Sequence, residues 1–203
     1  MTSSFPEMKI PLSRPDITAL ERRAVLDVLE SPFLSRGPKL VEFEDAMATY
    51  VGVRHAIAVN SGTSGLHLII RALGIGSGDE VITTPFSFIA SANCIMMEQA
   101  RPVFVDIDPE TCNVDVTKIE HAMTAKTKAI LGVDVFGRCV DWDAIDTIAR
   151  RHQLAVIEDS CEAIGAEYRG RKAGSFGAAG CFGFYPNKQM TTGEGGVILT
   201  DRD

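Results

Sequence analysis

Short runs rich in β-branched and apolar residues alternate along the chain with longer stretches whose apolar positions recur every three or four residues. Runs of the first kind predict strands at 55–59, 80–84, 102–106, 129–133, 155–158, 180–184 and 196–200. Stretches of the second kind predict helices at 17–29, 38–51, 64–73, 87–99, 116–123 and 142–152. Strand and helix in alternation is the pattern of an α/β domain built on a mostly parallel sheet, because a parallel connection needs a crossover and the crossover is usually a helix. The last two strands are separated only by a short Gly-rich loop, so the final one is expected to run antiparallel. Residues 1–14 read as an arm preceding a single unit at 15–203, with no repeat, low-complexity tract or charged linker to mark a further boundary. The chain stops at Asp203, directly after a strand with no helix to cover it, from which a fragment of a longer protein is expected.

Composition narrows the function classes. Of 203 residues, 45% are hydrophobic and 23% charged, the balance of a globular chain, and at this length a core forms without disulfides or metal. Twenty basic residues against twenty-seven acidic ones give a net charge of −7 with no basic block, which argues against nucleic acid as a partner. No apolar stretch is long enough to span a bilayer and the N-terminus lacks a leader pattern, so the cytoplasm is the expected compartment. The five cysteines are scattered and never form a Cys-x-x-Cys pair, and the four histidines show no His-Glu-x-x-His spacing; neither a disulfide framework nor a metal site is expected.

In an open α/β sheet, ligands bind beyond the carboxyl ends of the strands, so the residues that follow each strand carry the information. The first strand runs into Asn60-Ser61-Gly62-Thr63-Ser64-Gly65 and then a helix. Small residues there leave backbone N–H groups free at a helix start, where a phosphate binds; an ordinary Ser cap is the competing reading. The second strand leads to Phe88, which either stacks on a planar ligand or packs in the core. The fifth ends in Glu158-Asp159, whose carboxylate serves as a cap or as the partner of a bound cation. The sixth leads to Tyr185-Pro186-Asn187-Lys188 and a Gly-rich turn, where the lysine is either a solvated charge or a desolvated nucleophile. Each feature alone is ambiguous. Together, a phosphate cradle, an aromatic plate, a carboxylate and a lysine at one sheet edge match what pyridoxal 5'-phosphate requires: a lysine for its Schiff base, an anion for its pyridine nitrogen and donors for its phosphate.

The same residues carry a resemblance. Asn60-Ser61-Gly62-Thr63-Ser64, Gly78-Asp79-Glu80-Val81-Ile82, Val156-Ile157-Glu158-Asp159 and Phe184-Tyr185-Pro186-Asn187-Lys188 with Thr191-Thr192-Gly193-Glu194-Gly195-Gly196 resemble the DegT/StrS family of sugar aminotransferases. So do the opening Leu12-Ser13-Arg14-Pro15 and Phe33-Leu34-Ser35-Arg36-Gly37-Pro38, in a likeness running from about Ile10 to the last residue. The resemblance implies the large domain of the type I aminotransferase fold, a mostly parallel seven-stranded sheet with helices on both faces, whose C-terminal small domain lies outside this chain. It also implies roles: Lys188 holds the cofactor covalently and moves a proton, Asp159 pairs with the pyridine nitrogen, Phe88 lies on the ring, Gly62, Thr63 and Ser64 hold the phosphate, and Glu162 stands near the ring oxygen. The implied reaction passes an amino group, usually from glutamate, to a keto carbon of a nucleotide-linked sugar, in a homodimer whose sites are completed by the partner subunit.

Three departures stand out. Glu162 occupies a position that is often Gln or His in relatives, Gly183 stands where many have a Ser that reaches the phosphate, and the chain is about half the family's usual length. A truncated relative that keeps the pocket without turnover is the alternative reading. A dinucleotide-binding dehydrogenase is disfavoured because the first strand lacks Gly-x-Gly-x-x-Gly.

Overall fold

The computed structural model describes residue 11 and residues 13–203. Most of the expected arm, including Leu12, lies outside the described residues. In chain order the elements are α1 (Ala19–Leu29), α2 (Pro38–Val51), β1 (His55–Val59), α3 (Gly62–Ala72), β2 (Glu80–Thr83), α4 (Ala90–Met97) and β3 (Arg101–Phe104). There follow α5 (Val116–Ala122), β4 (Thr127–Val133), a 3-10 turn (Val135–Gly137), α6 (Trp142–His152), β5 (Ala155–Asp159), β6 (Glu167–Tyr168), β7 (Arg171–Lys172), β8 (Ala179–Gly183) and β9 (Gly196–Thr200).

Seven strands form one sheet in the order β1-β9-β8-β5-β4-β2-β3, and β6 and β7 form a separate hairpin. Strands β3, β2, β4, β5 and β8 are mutually parallel, while β9 runs antiparallel to both β8 and β1, as the short Gly-rich connection requires. The strands are apolar on both faces because helices cover both. Leu66, Ile69 and Ile70 of α3 and Cys94 and Ile95 of α4 pack with Ala129, Leu131 and Ile157 on one face. Ile119 of α5 and Trp142, Ile145 and Ile148 of α6 pack with Ile130 and Val156 on the other. Met47 and Val51 of α2 meet Phe182, Val197 and Leu199 on that second face.

Several expected boundaries shift by one to three residues: α1 begins at Ala19, α3 at Gly62 and β4 at Thr127, not at 17, 64 and 129. The helix expected from residue 87 begins at Ala90, because residues 85–89 turn at the sheet edge, and the strand expected from residue 102 begins at Arg101. Pro102 is tolerated there because β3 is an edge strand whose other side forms no ladder. The β6–β7 hairpin, only two residues per strand, is too short to leave a periodic signal.

Candidate active site

The carboxyl ends of β2, β4, β5 and β8 open onto a single cleft of about 690 Å³. Its walls include Ser61, Gly62 and Thr63 from the start of α3, Phe86 and Phe88 after β2, Asp134 and Phe136 after β4, Asp159, Cys161 and Glu162 after β5, and Lys188 after β8.

The start of α3 is capped in the ordinary way: Ser61 Oγ accepts from the Ser64 N–H at 3.1 Å and Ser61 donates its hydroxyl to Ser64 at 3.0 Å. Ser64 is thereby engaged in the cap, and Gly62 and Thr63 face the cleft. The two readings of this loop are compatible, since a side-chain cap leaves the other first-turn N–H groups without helical acceptors. Gly62 is forced by close approach: a Cβ there would stand 2.7 Å from Cys161 Sγ and 3.3 Å from Gly183 Cα. Gly196 closes the other side, where a Cβ would lie 2.7 Å from the Gly62 nitrogen. Both glycines are therefore required by close packing of the α3 start against β8 and β9, which fixes where the first-turn N–H groups stand at the cleft.

At the cleft floor Asp159 is 5% exposed. Its Oδ2 accepts the Ser91 hydroxyl at 2.6 Å and its Oδ1 the Cys161 N–H at 3.2 Å. Both donors are neutral, and no cationic side chain pairs with this buried carboxyl group among the described residues. Sequence reasoning missed Ser91, since a Ser in a helix gives no signal until the fold brings it against a carboxylate.

Lys188 is not a solvated loop charge. Its side chain is 15% exposed and its Nζ meets Glu162 Oε1 at 2.8 Å, while the Phe136 N–H donates to Glu162 Oε2 at 3.3 Å. The Gln189 side-chain amide donates to the Glu162 carbonyl, so Glu162 ties the loops after β4, β5 and β8 together. Phe88, at 73% exposure, is no core residue; it stands beside the cleft, with its carbonyl accepting from the Ser91 N–H.

An acid pair joins Asp134 of the cleft wall to the buried Glu158. Ser160 Oγ sits 2.7 Å from both Asp134 Oδ2 and Glu158 Oε1, and the N–H groups of Gly174 and Phe176 donate to the two Glu158 oxygens. One hydroxyl proton cannot serve two carboxylates, so the arrangement closes when one of the two acids keeps its proton. Burial accordingly pushes Asp134 up to about 6, and burial together with the Asp134 charge raises Glu158 well above the usual carboxylate range. Among the described residues no group of three or more His, Cys, Asp or Glu side chains is arranged to hold a metal ion, and no helix is long and apolar enough to cross a membrane.

The profile of the DegT/DnrJ/EryC1/StrS aminotransferase family matches residues 15–203. A GDP-perosamine synthase of Caulobacter vibrioides is 49% identical over 196 residues, 96% of this chain and 53% of that protein. Among solved structures, PseC of Helicobacter pylori, an aminotransferase involved in the biosynthesis of pseudoaminic acid, superposes with a TM-score of 0.93 at 36% identity, over 97% of this chain and 53% of that one. The PLP form of the sugar aminotransferase Spr1654 from Streptococcus pneumoniae does so with a TM-score of 0.93 at 33% identity, over 97% and 54%. The chain spans about half the length of the curated relatives it matches.

Proposed function

This chain belongs to the DegT/DnrJ/EryC1/StrS aminotransferase family, and from that premise we propose that it is the cofactor-binding part of a pyridoxal-phosphate enzyme that moves an amino group, from glutamate, to a keto carbon of a nucleotide-linked sugar. The observation that carries this reading is the meeting of three chemically different requirements in one cleft: the helix start at Gly62 and Thr63, the buried carboxyl group of Asp159 without an ion pair, and the shielded amine of Lys188.

These residues fit the cofactor. Gly62, Thr63 and the α3 N-terminus would hold its phosphate, the buried Asp159 would hold the proton on its ring nitrogen, and Phe88 would cover the ring. Bound pyridoxal phosphate supplies an aldehyde for an amine and a ring that draws electron density from the substrate carbon. The chain's own residues do the rest. Lys188, once freed of its proton, would be the amine that holds the cofactor, and its amino group would be placed to carry a proton to and from the substrate carbon. Ser91 fixes the Asp159 carboxylate in orientation by a bond at 2.6 Å. Glu162 receives the Lys188 ammonium whenever that amine is not covalently engaged. The absent hydroxyl at Gly183 leaves the phosphate to the helix start, and the space there is filled instead: a Cβ at 183 would meet Cys161 Sγ at 3.3 Å.

The intact protein is proposed as a homodimer. Leu20, Val25, Leu26 and Leu29 of α1 and Met96 and Met97 of α4 are exposed, apolar surface of a kind that partner subunits cover. The test of function is chemical: with the intact protein, glutamate and a panel of nucleotide-linked keto sugars, 2-oxoglutarate and an amino-sugar nucleotide should form in equal amounts with at least one of them. Amino transfer to simple 2-oxo acids with none to any keto-sugar nucleotide would overturn the reading.

A further inference from the structure

Phe136 is a large aromatic in an expensive position. Its backbone sits at φ 52° and ψ 26°, the left-handed region, where a bulky side chain is an outlier. Gly137 follows at φ 85°, so two successive left-handed residues fold the loop after β4 against Glu162. The strain, on the order of 1 kcal/mol, does not serve core burial, because the Phe136 ring is 76% exposed. It is held at the cleft wall by an edge-on contact with Phe86, ring centres 5.9 Å apart at 86°, and by the N–H bond to Glu162. The other oxygen of that carboxylate holds Lys188, so a single side chain sets both the reacting amine and the backbone that presents this ring. Nothing in the cofactor reading uses Phe136.

We propose that Phe136, backed by Phe86, is a specificity-determining residue that packs against the apolar C–H face of the hexose in the nucleotide-linked substrate. The inference rests on the sugar-nucleotide reading above and deepens it. A pyranose offers hydroxyls at its rim and C–H groups on its faces, and an exposed aromatic surface beside polar groups is a wall that complements both. Backbone strain concentrated at a cleft residue is what a preorganised binding wall carries.

The test uses the intact protein loaded with pyridoxal phosphate, and titration calorimetry with UDP-N-acetylglucosamine and GDP-mannose against UDP and GDP. The wild type should bind at least one sugar nucleotide more tightly than the matching nucleotide. Phe136→Ala and Phe136→Leu should lose that preference, a fall of about tenfold in sugar-nucleotide affinity, with nucleotide affinity unchanged; Phe136→Tyr should keep it. Cofactor retention should be the same in all four proteins. A wild type without preference, variants that retain it, Phe136→Leu equal to wild type, or equal losses for nucleotide and sugar nucleotide would each overturn the proposal. A wild type that binds no pyridoxal phosphate overturns the underlying functional reading as well, which separates the two failures.

Discussion

Ser91 donates its hydroxyl to Asp159 at 2.6 Å although 68 positions separate them in the chain. The serine lies near the start of α4 and the carboxylate at the end of β5, so the bond joins a helix on one sheet face to the cleft floor. Both residues are almost fully buried. Ser91→Ala should leave Asp159 with the Cys161 N–H alone, and losing the partner of a buried polar group costs about 1–3 kcal/mol. Denaturant unfolding of the cofactor-free protein should show that loss, and pyridoxal phosphate should bind more weakly. Unchanged stability and affinity would show that the bond does not organise the site.

Gly62→Ala puts a methyl group 2.7 Å from Cys161 Sγ. The α3 start would have to move, with a destabilisation of about 1–3 kcal/mol and loss of cofactor affinity. Cys161→Ala in the same chain removes the colliding sulfur and should restore part of both. If the double variant is no better than Gly62→Ala, the collision is not the cause.

Acid–base behaviour follows from the buried pair. A carboxyl whose folded-state pKa is raised holds its proton more firmly in the folded than in the unfolded chain. The stability it contributes is full below the unfolded value, near 4, and is lost as pH rises toward about 6, where burial has pushed Asp134. The unfolding free energy of the wild type relative to Asp134→Asn should therefore fall across this window, by an amount on the order of 2 kcal/mol. Fluorescence of Trp142, the single tryptophan, reports the transition. A difference that stays flat or rises with pH would contradict the assignment.

Much of this was legible in the sequence, for identifiable reasons. Strand β1 and helices α2 and α6 have the expected boundaries because their apolar periodicity is unbroken and their ends carry caps: Gly37 and Gly52 around α2, Asp141 before α6. The antiparallel β9 followed from loop length alone. Lys188, Asp159, Gly62 and Phe88 could be placed at one edge because each follows a strand whose direction the βα pattern dictates. What stayed hidden depends on side chains meeting across the fold. Ser91 reaches Asp159 from a helix, Glu162 turns one carboxylate to Lys188 and to Phe136, and Cys161 fills the space beneath Gly62. No periodicity or spacing encodes such encounters, and the left-handed backbone of Phe136 has no sequence signature, since Gly or Asn is the residue expected there.

The central claim is that Lys188 is the amine that holds pyridoxal phosphate, and one measurement addresses it directly. The intact protein is incubated with pyridoxal phosphate, reduced with borohydride and digested, and the modified peptide is located by mass spectrometry. The account predicts a phosphopyridoxyl group on Lys188 at close to one per chain, and none in Lys188→Ala, whose circular dichroism spectrum should match that of the wild type. Modification at another lysine, or equal stoichiometric labelling of Lys188→Ala, would contradict it.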